Sequence, residues 1–189
     1  MIYFDNASSS LPVIEPIKPN ILYSVNPSSK HYLGKQAKAL LEDSRSLIAN
    51  KLQVKSSELI FFSSTTEANN FVIKNIKADK KILYSGLEHP SILEPLKMFN
   101  GVKTEIKIKN NSIDYYWLES EIQNYDYLIL SVLINQVGDY VDVKKIKSLL
   151  NKIRSKKRLI WYSDFSGVLL PKQFGLDFYP KKKKKLGSY

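Results

Sequence analysis

Apolar residues recur at intervals of three and four between Tyr32 and Leu52, at Leu33, Ala37, Leu40, Leu41, Leu47, Ile48 and Leu52, which predicts one amphipathic helix lying over a sheet. Before it, residues 1–30 are rich in Ser, Pro and Asn with no sustained period and read as an irregular arm. After it the pattern changes to short apolar runs of strand length alternating with helical stretches. Strands are predicted at 58–62, 81–85, 102–108, 127–132, 159–163 and 175–179. Helices are predicted from Ser64 to about Lys77 and at 90–99, 115–123 and 143–155. Strands separated by helices of this length imply βαβ units, hence an α/β fold with a mostly parallel sheet flanked by helices. Ligands then belong at the carboxyl ends of the strands.

That rule selects the polar residues just after each strand: Ser63 to Thr66, Glu88 with His89, Asn135 and Asp164. Each has two readings. Ser63-Ser-Thr-Thr66 at a helix start offers free amides, hydroxyls and the positive end of a helix dipole, which suit a phosphate. The same residues, with Glu67 completing an S-x-x-E spacing, also suit plain helix capping. His89 before Pro90 could place a flat imidazole on the crevice floor to stack on an aromatic ligand, or be structural. A carboxylate at Asp164 could hold a ring nitrogen protonated, or cap a turn before Ser166-Gly167.

Composition narrows the function classes. No stretch approaches the roughly 20 apolar residues of a membrane helix, and MIYFDNASSS lacks a basic lead and an apolar signal run, so a cytoplasmic protein is expected and no membrane partner. The absence of cysteine excludes disulfides, thiolate metal sites and a cysteine nucleophile from these residues. A net charge of +11 invites a nucleic-acid reading. Against it, only Arg45, Arg154 and Arg158 are arginines among 29 basic residues, and five lysines sit in one run, 181–185.

Taken in order, Tyr3-Phe-Asp-Asn-Ala7, Asn26-Pro-Ser28, Phe62-Ser-Ser-Thr-Thr-Glu67 with Asn70, Glu88-His89, Asn135-Gln-Val-Gly138 and Asp164 resemble the cysteine desulfurase (NifS/IscS-like) branch of the class V aminotransferases. The similarity runs from residue 2 to about 179 and matches the first half of a family member. It implies the large domain of an aspartate aminotransferase-like fold that binds pyridoxal 5'-phosphate. Thr65 and Thr66 would meet the cofactor phosphate, His89 would stack on the pyridine ring, Asn135 would approach the ring hydroxyl and Asp164 would pair with the pyridinium nitrogen. Residues 31–179 are then a partial cofactor-binding domain and 180–189 a lysine-rich, non-homologous tail.

The departures from the family are specific. Ser64 replaces a glycine, the loop before Gly138 is about two residues short, and Gly167 stands where relatives carry glutamine. The Ser-x-His-Lys turn that supplies the Schiff-base lysine is replaced by PKKKKKLGSY, in which Lys185 falls at the family spacing without the neighbouring serine and histidine. A frameshift in an A-rich codon run would give such an ending. The expectation is therefore a shortened desulfurase homologue without catalytic activity of its own. Two alternatives stand beside it: a module that dimerises with itself or pairs with a full-length paralogue or a separately encoded second half, and a basic tail that binds nucleic acid or anionic surfaces.

Overall fold

The computed structural model describes residues 25–110, 112–134, 139–154 and 158–164, and these fall into two units divided between Phe61 and Phe62. In the first, the periodic stretch forms helix α1 (Tyr32–Leu52), matching its predicted bounds. His31 caps it, its Nδ1 accepting from the Gly34 amide at 3.2 Å, and the helix ends at Gln53, which takes the left-handed conformation (φ 60°). Ala37 and Ala49 are buried, whereas Leu33, Leu47 and Ile48 remain exposed. A 3₁₀ turn at Ser56–Glu58 follows. The Arg45 guanidinium donates to the Leu59 carbonyl at 2.6 Å and lies 4.7 Å from the centre of the Phe61 ring.

The predicted strand at 58–62 is not one. Leu59 has extended dihedrals, but no described strand runs beside this segment, and Ile60 and Phe61 are exposed. An apolar run of strand length becomes a strand only when a neighbour completes its hydrogen-bond ladder.

The second unit contains a four-stranded parallel sheet in the order β2 (Val102–Glu105), β1 (Lys81–Tyr84), β5 (Tyr127–Ile129), β8 (Ile160–Tyr162). Helices α2 (Thr65–Lys74), α3 (Pro90–Lys97), α4 (Tyr115–Glu121) and α5 (Val143–Arg154) separate the strands in sequence. Two small antiparallel hairpins, β3 (Ile108–Lys109) with β4 (Ser112–Ile113) and β6 (Leu133–Ile134) with β7 (Asp139–Tyr140), lie in the connections. The predicted strand at 102–108 is thus split, its first part joining the sheet and its end a hairpin. The predicted strand at 175–179 lies outside the described residues.

The period of two along each strand sorts the core into two layers. Ile82, Tyr84, Tyr127, Ile129 and Tyr162 face one layer, filled from α2, the turn after it and α3 by Ile73, Ile76, Ile92 and Leu96. Leu83, Leu128, Leu130 and Trp161 face the other, filled from α4, the following turn and α5 by Leu118, Ile122, Ile146 and Leu149. From β1 the chain crosses outward to β2, then returns past β1 to β5 and on to β8. The order therefore reverses between β1 and β5, and the crevice at their carboxyl ends is the place where an open α/β sheet binds ligands. No helix among the described residues is long and apolar enough to cross a membrane.

Candidate functional site

Three chain segments leave the carboxyl ends of β1, β5 and β8, and buried polar side chains tie them together. Glu88, after β1, is 2% exposed. Its Oε1 accepts from the Ser131 amide at 2.8 Å and its Oε2 from the Ser131 hydroxyl, just beyond β5. Burial pushes the Glu88 carboxyl above the usual carboxylate range, the Ser131 bonds oppose this, and the nearby Asp164 charge adds to it. Glu88 is thus a latch across the strand-order reversal, a role its position in sequence did not specify.

Asp164 lies two residues beyond Tyr162, so both project to the sheet face covered by α2. There Asn69, 1% exposed, donates from Nδ2 to Asp164 Oδ2 at 3.0 Å and accepts at Oδ1 from the Tyr162 hydroxyl. The Tyr162 hydroxyl is pushed up to about 12 by burial and by the carboxylates of Asp164 and Glu88, so it keeps its proton and acts as the donor. Asn69 Nδ2 also donates to Ser91 Oγ at 2.8 Å, and Ser91 Oγ lies 2.8 Å from His89 Nδ1. His89 caps α3, its Nδ1 accepting from the Ser91 amide at 3.1 Å, with Pro90 at the first helical position. The residue is exposed.

Thr65 and Thr66 open α2 and are exposed. They stand four and three residues before Asn69, so they lie about one helical turn above it on the same side of the helix. The capping reading holds here: Ser64 Oγ accepts from the Glu67 amide at 3.1 Å, and Glu67 Oε2 accepts from the Ser63 amide and hydroxyl at 2.8 and 2.7 Å. The two Ser63 hydrogen bonds hold the Glu67 carboxyl below its ordinary range. This cap leaves the Thr65 and Thr66 amides without an intrahelical acceptor, as the first amides of any helix are. Capping and anion binding therefore do not compete for the same groups.

Of the predicted site residues, Thr65, Thr66, His89 and Asp164 are brought to one end of the sheet through Asn69. Asn135 and Lys185 lie outside the described residues. Asn69, Ser91, Ser131 and Tyr162 went unread in the sequence. The signals were present: Asn69 is one turn from the threonines, and Tyr162 shares the parity of Asp164.

A parallel sheet with its strand-order reversal beneath a helix start, an imidazole and a carboxylate defines an α/β domain of the class whose ligand crevice lies at the carboxyl ends of the strands. The chain belongs to the class-V aminotransferase family, whose model matches residues 2–165. It is 29% identical over 167 residues to cysteine desulfurase IscS 1 of Archaeoglobus fulgidus, with 80% of this chain and 43% of that protein covered. The X-ray structure of a NifS-like protein from Rickettsia africae superposes with a TM-score of 0.62 at 28% identity, covering 74% of this chain and 39% of that one. A C-DES mutant, described with glycine covalently linked to its PLP cofactor, shares the fold at a TM-score of 0.61 and 15% identity, covering 78% of this chain and 42% of that one. The chain spans less than half the length of these relatives.

Proposed function

We propose that this chain carries the cofactor-anchoring face of a pyridoxal-phosphate enzyme of the cysteine desulfurase type, and that these 189 residues alone do not release sulfur from cysteine. The observation that carries the reading is the half-buried Asp164 carboxylate held at the end of β8 by buried Asn69, which Ser91 links to the exposed His89. The donor set suits the cofactor: a carboxylate for a protonated ring nitrogen, a flat imidazole for the ring face, and the Thr65 and Thr66 amides and hydroxyls for the phosphate. Asn135 is proposed for the ring hydroxyl on family resemblance. When bound, the cofactor supplies an electron sink for carbanion chemistry.

Desulfuration needs a thiolate to take the sulfur, and these residues contain no cysteine. Lys185 lacks the serine and histidine that would orient it, so a covalent link to the cofactor through Lys185 is not part of the proposal. The test is an absorption titration of the purified chain with pyridoxal phosphate, alongside Asp164→Ala and Lys185→Ala. Saturable binding is expected, weakened about tenfold or more by Asp164→Ala, the effect of one lost charged contact, and unchanged by Lys185→Ala. Absence of saturable binding overturns the anchoring role. A Lys185-dependent absorption band, or sulfide released from cysteine by the purified chain, overturns the inactivity.

A further inference from the structure

We infer that Asn69 is a positioning residue that locks Asp164 and His89 into one rigid pair, so that the group facing the cofactor's ring nitrogen and the group facing its ring are oriented by a single buried amide. The inference rests on the cofactor reading above and adds a residue to it. Asn69 reaches three partners, one on α3 and two at the end of β8. It donates to Asp164 Oδ2 after β8 at 3.0 Å and to Ser91 Oγ on α3 at 2.8 Å, and it accepts from the Tyr162 hydroxyl on β8. Both amide protons and the carbonyl are used, and no buried side-chain polar atom among the described residues lacks a partner.

The directions of these bonds follow from chemistry. A carboxylate only accepts, so the Nδ2 side of Asn69 must face Asp164, which turns Oδ1 toward Tyr162. Ser91 Oγ accepts from Asn69 and is left to donate its own proton to His89 Nδ1, 2.8 Å away. Nδ1 also accepts the Ser91 amide, so the ring proton belongs on Nε2. The hydroxyl and the amide of Ser91 share the single in-plane lone pair of Nδ1, which turns that edge of the imidazole toward the start of α3. A buried asparagine serving only the fold would need its hydrogen bonds satisfied, but satisfaction alone does not require that its network end on the two polar side chains that follow β1 and β8.

The test uses the full chain labelled with ¹⁵N. The chain has only two histidines, His31 and His89, so the His89 ring nitrogens are assignable by NMR without ligand. Asn69→Asp keeps the side chain's shape but replaces a double donor with an acceptor. It withdraws the Ser91 proton from His89 and sets a second carboxylate against Asp164. The expected results are a moved His89 Nδ1 resonance in the ligand-free chain and pyridoxal phosphate affinity lower by about tenfold or more. Ser91→Ala cuts only the histidine arm, so it moves the Nδ1 resonance and weakens binding less. This second variant decides the matter if Asn69→Asp does not fold. A Nδ1 resonance unchanged in each folded variant overturns the inference. If the resonance moves as expected but the wild-type chain binds no pyridoxal phosphate, the Asn69 network stands and the cofactor reading falls.

Discussion

Glu88 shows how one side chain links the site to stability. Its carboxyl titrates above the ordinary range in the folded chain, with burial the main cause. Between the ordinary and the raised value the folded state holds a proton that the unfolded state has released, so the Glu88 contribution to stability falls as pH rises through that window and levels off above it. Glu88→Gln removes this titration. Its unfolding free energy should therefore lose less than the wild type's as pH is raised from the ordinary carboxylate range to neutrality, measured as denaturant midpoints across that range. Equal slopes in the two proteins would show that Glu88 is not raised. Glu88→Ala instead strands the Ser131 amide and hydroxyl and should cost about 2–3 kcal/mol. At the start of α2, Ser64→Ala removes the acceptor for the Glu67 amide and should cost about 1 kcal/mol in the same measurement.

At the scale of elements, helices were legible in sequence because their caps and periods are local. α1 matches its predicted bounds, and α5 starts at its predicted first residue and runs to Arg154, the last residue described in that segment. α2 stops at Lys74 rather than near Lys77, where the Asn75 side chain donates to the Phe71 carbonyl at 2.7 Å. α4 gives way to a 3₁₀ turn, Ile122–Asn124, that takes the last two residues of the predicted helix and runs one residue past it. Strands were less legible because each depends on a neighbour distant in sequence, which is why 58–62 fails and 102–108 divides. The central strand β5 carries the two layers at once, with Leu128 on one face and Ile129 on the other, both fully buried. Leu128→Ala should cost about 2–5 kcal/mol, as deletions in a closed core do. A loss under 1 kcal/mol by equilibrium denaturation would mean that this layer is loosely packed.

For the whole molecule, the sheet order matters more than any single motif. Because the strand order reverses between β1 and β5, residues as far apart as 69, 89, 131 and 164 meet at the carboxyl end of the sheet. The family match runs over residues 2–165, which take in every residue of the described site, and the chain covers less than half of each relative described. A working desulfurase site needs a thiolate besides, and no residue of this chain provides one. The expected spectrum with pyridoxal phosphate, binding without a Lys185 contribution and without sulfide release, belongs to this scale because it asks what the assembled face does as a unit.

The sequence by itself determined the α/β class, the helix starts, the polar residues that follow each strand and the absence of a sulfur nucleophile. These depend on local periodicity, capping chemistry and composition. Only the tertiary structure decided which of those polar residues act together. It turned Glu88 into a latch on Ser131, made the cap at Ser64 compatible with free threonine amides, and revealed Asn69 as the joint between His89 and Asp164. The reason is physical: a hydrogen bond joining residues 95 positions apart leaves no trace in the spacing of either one, and exists only once a parallel sheet has brought its strand ends together.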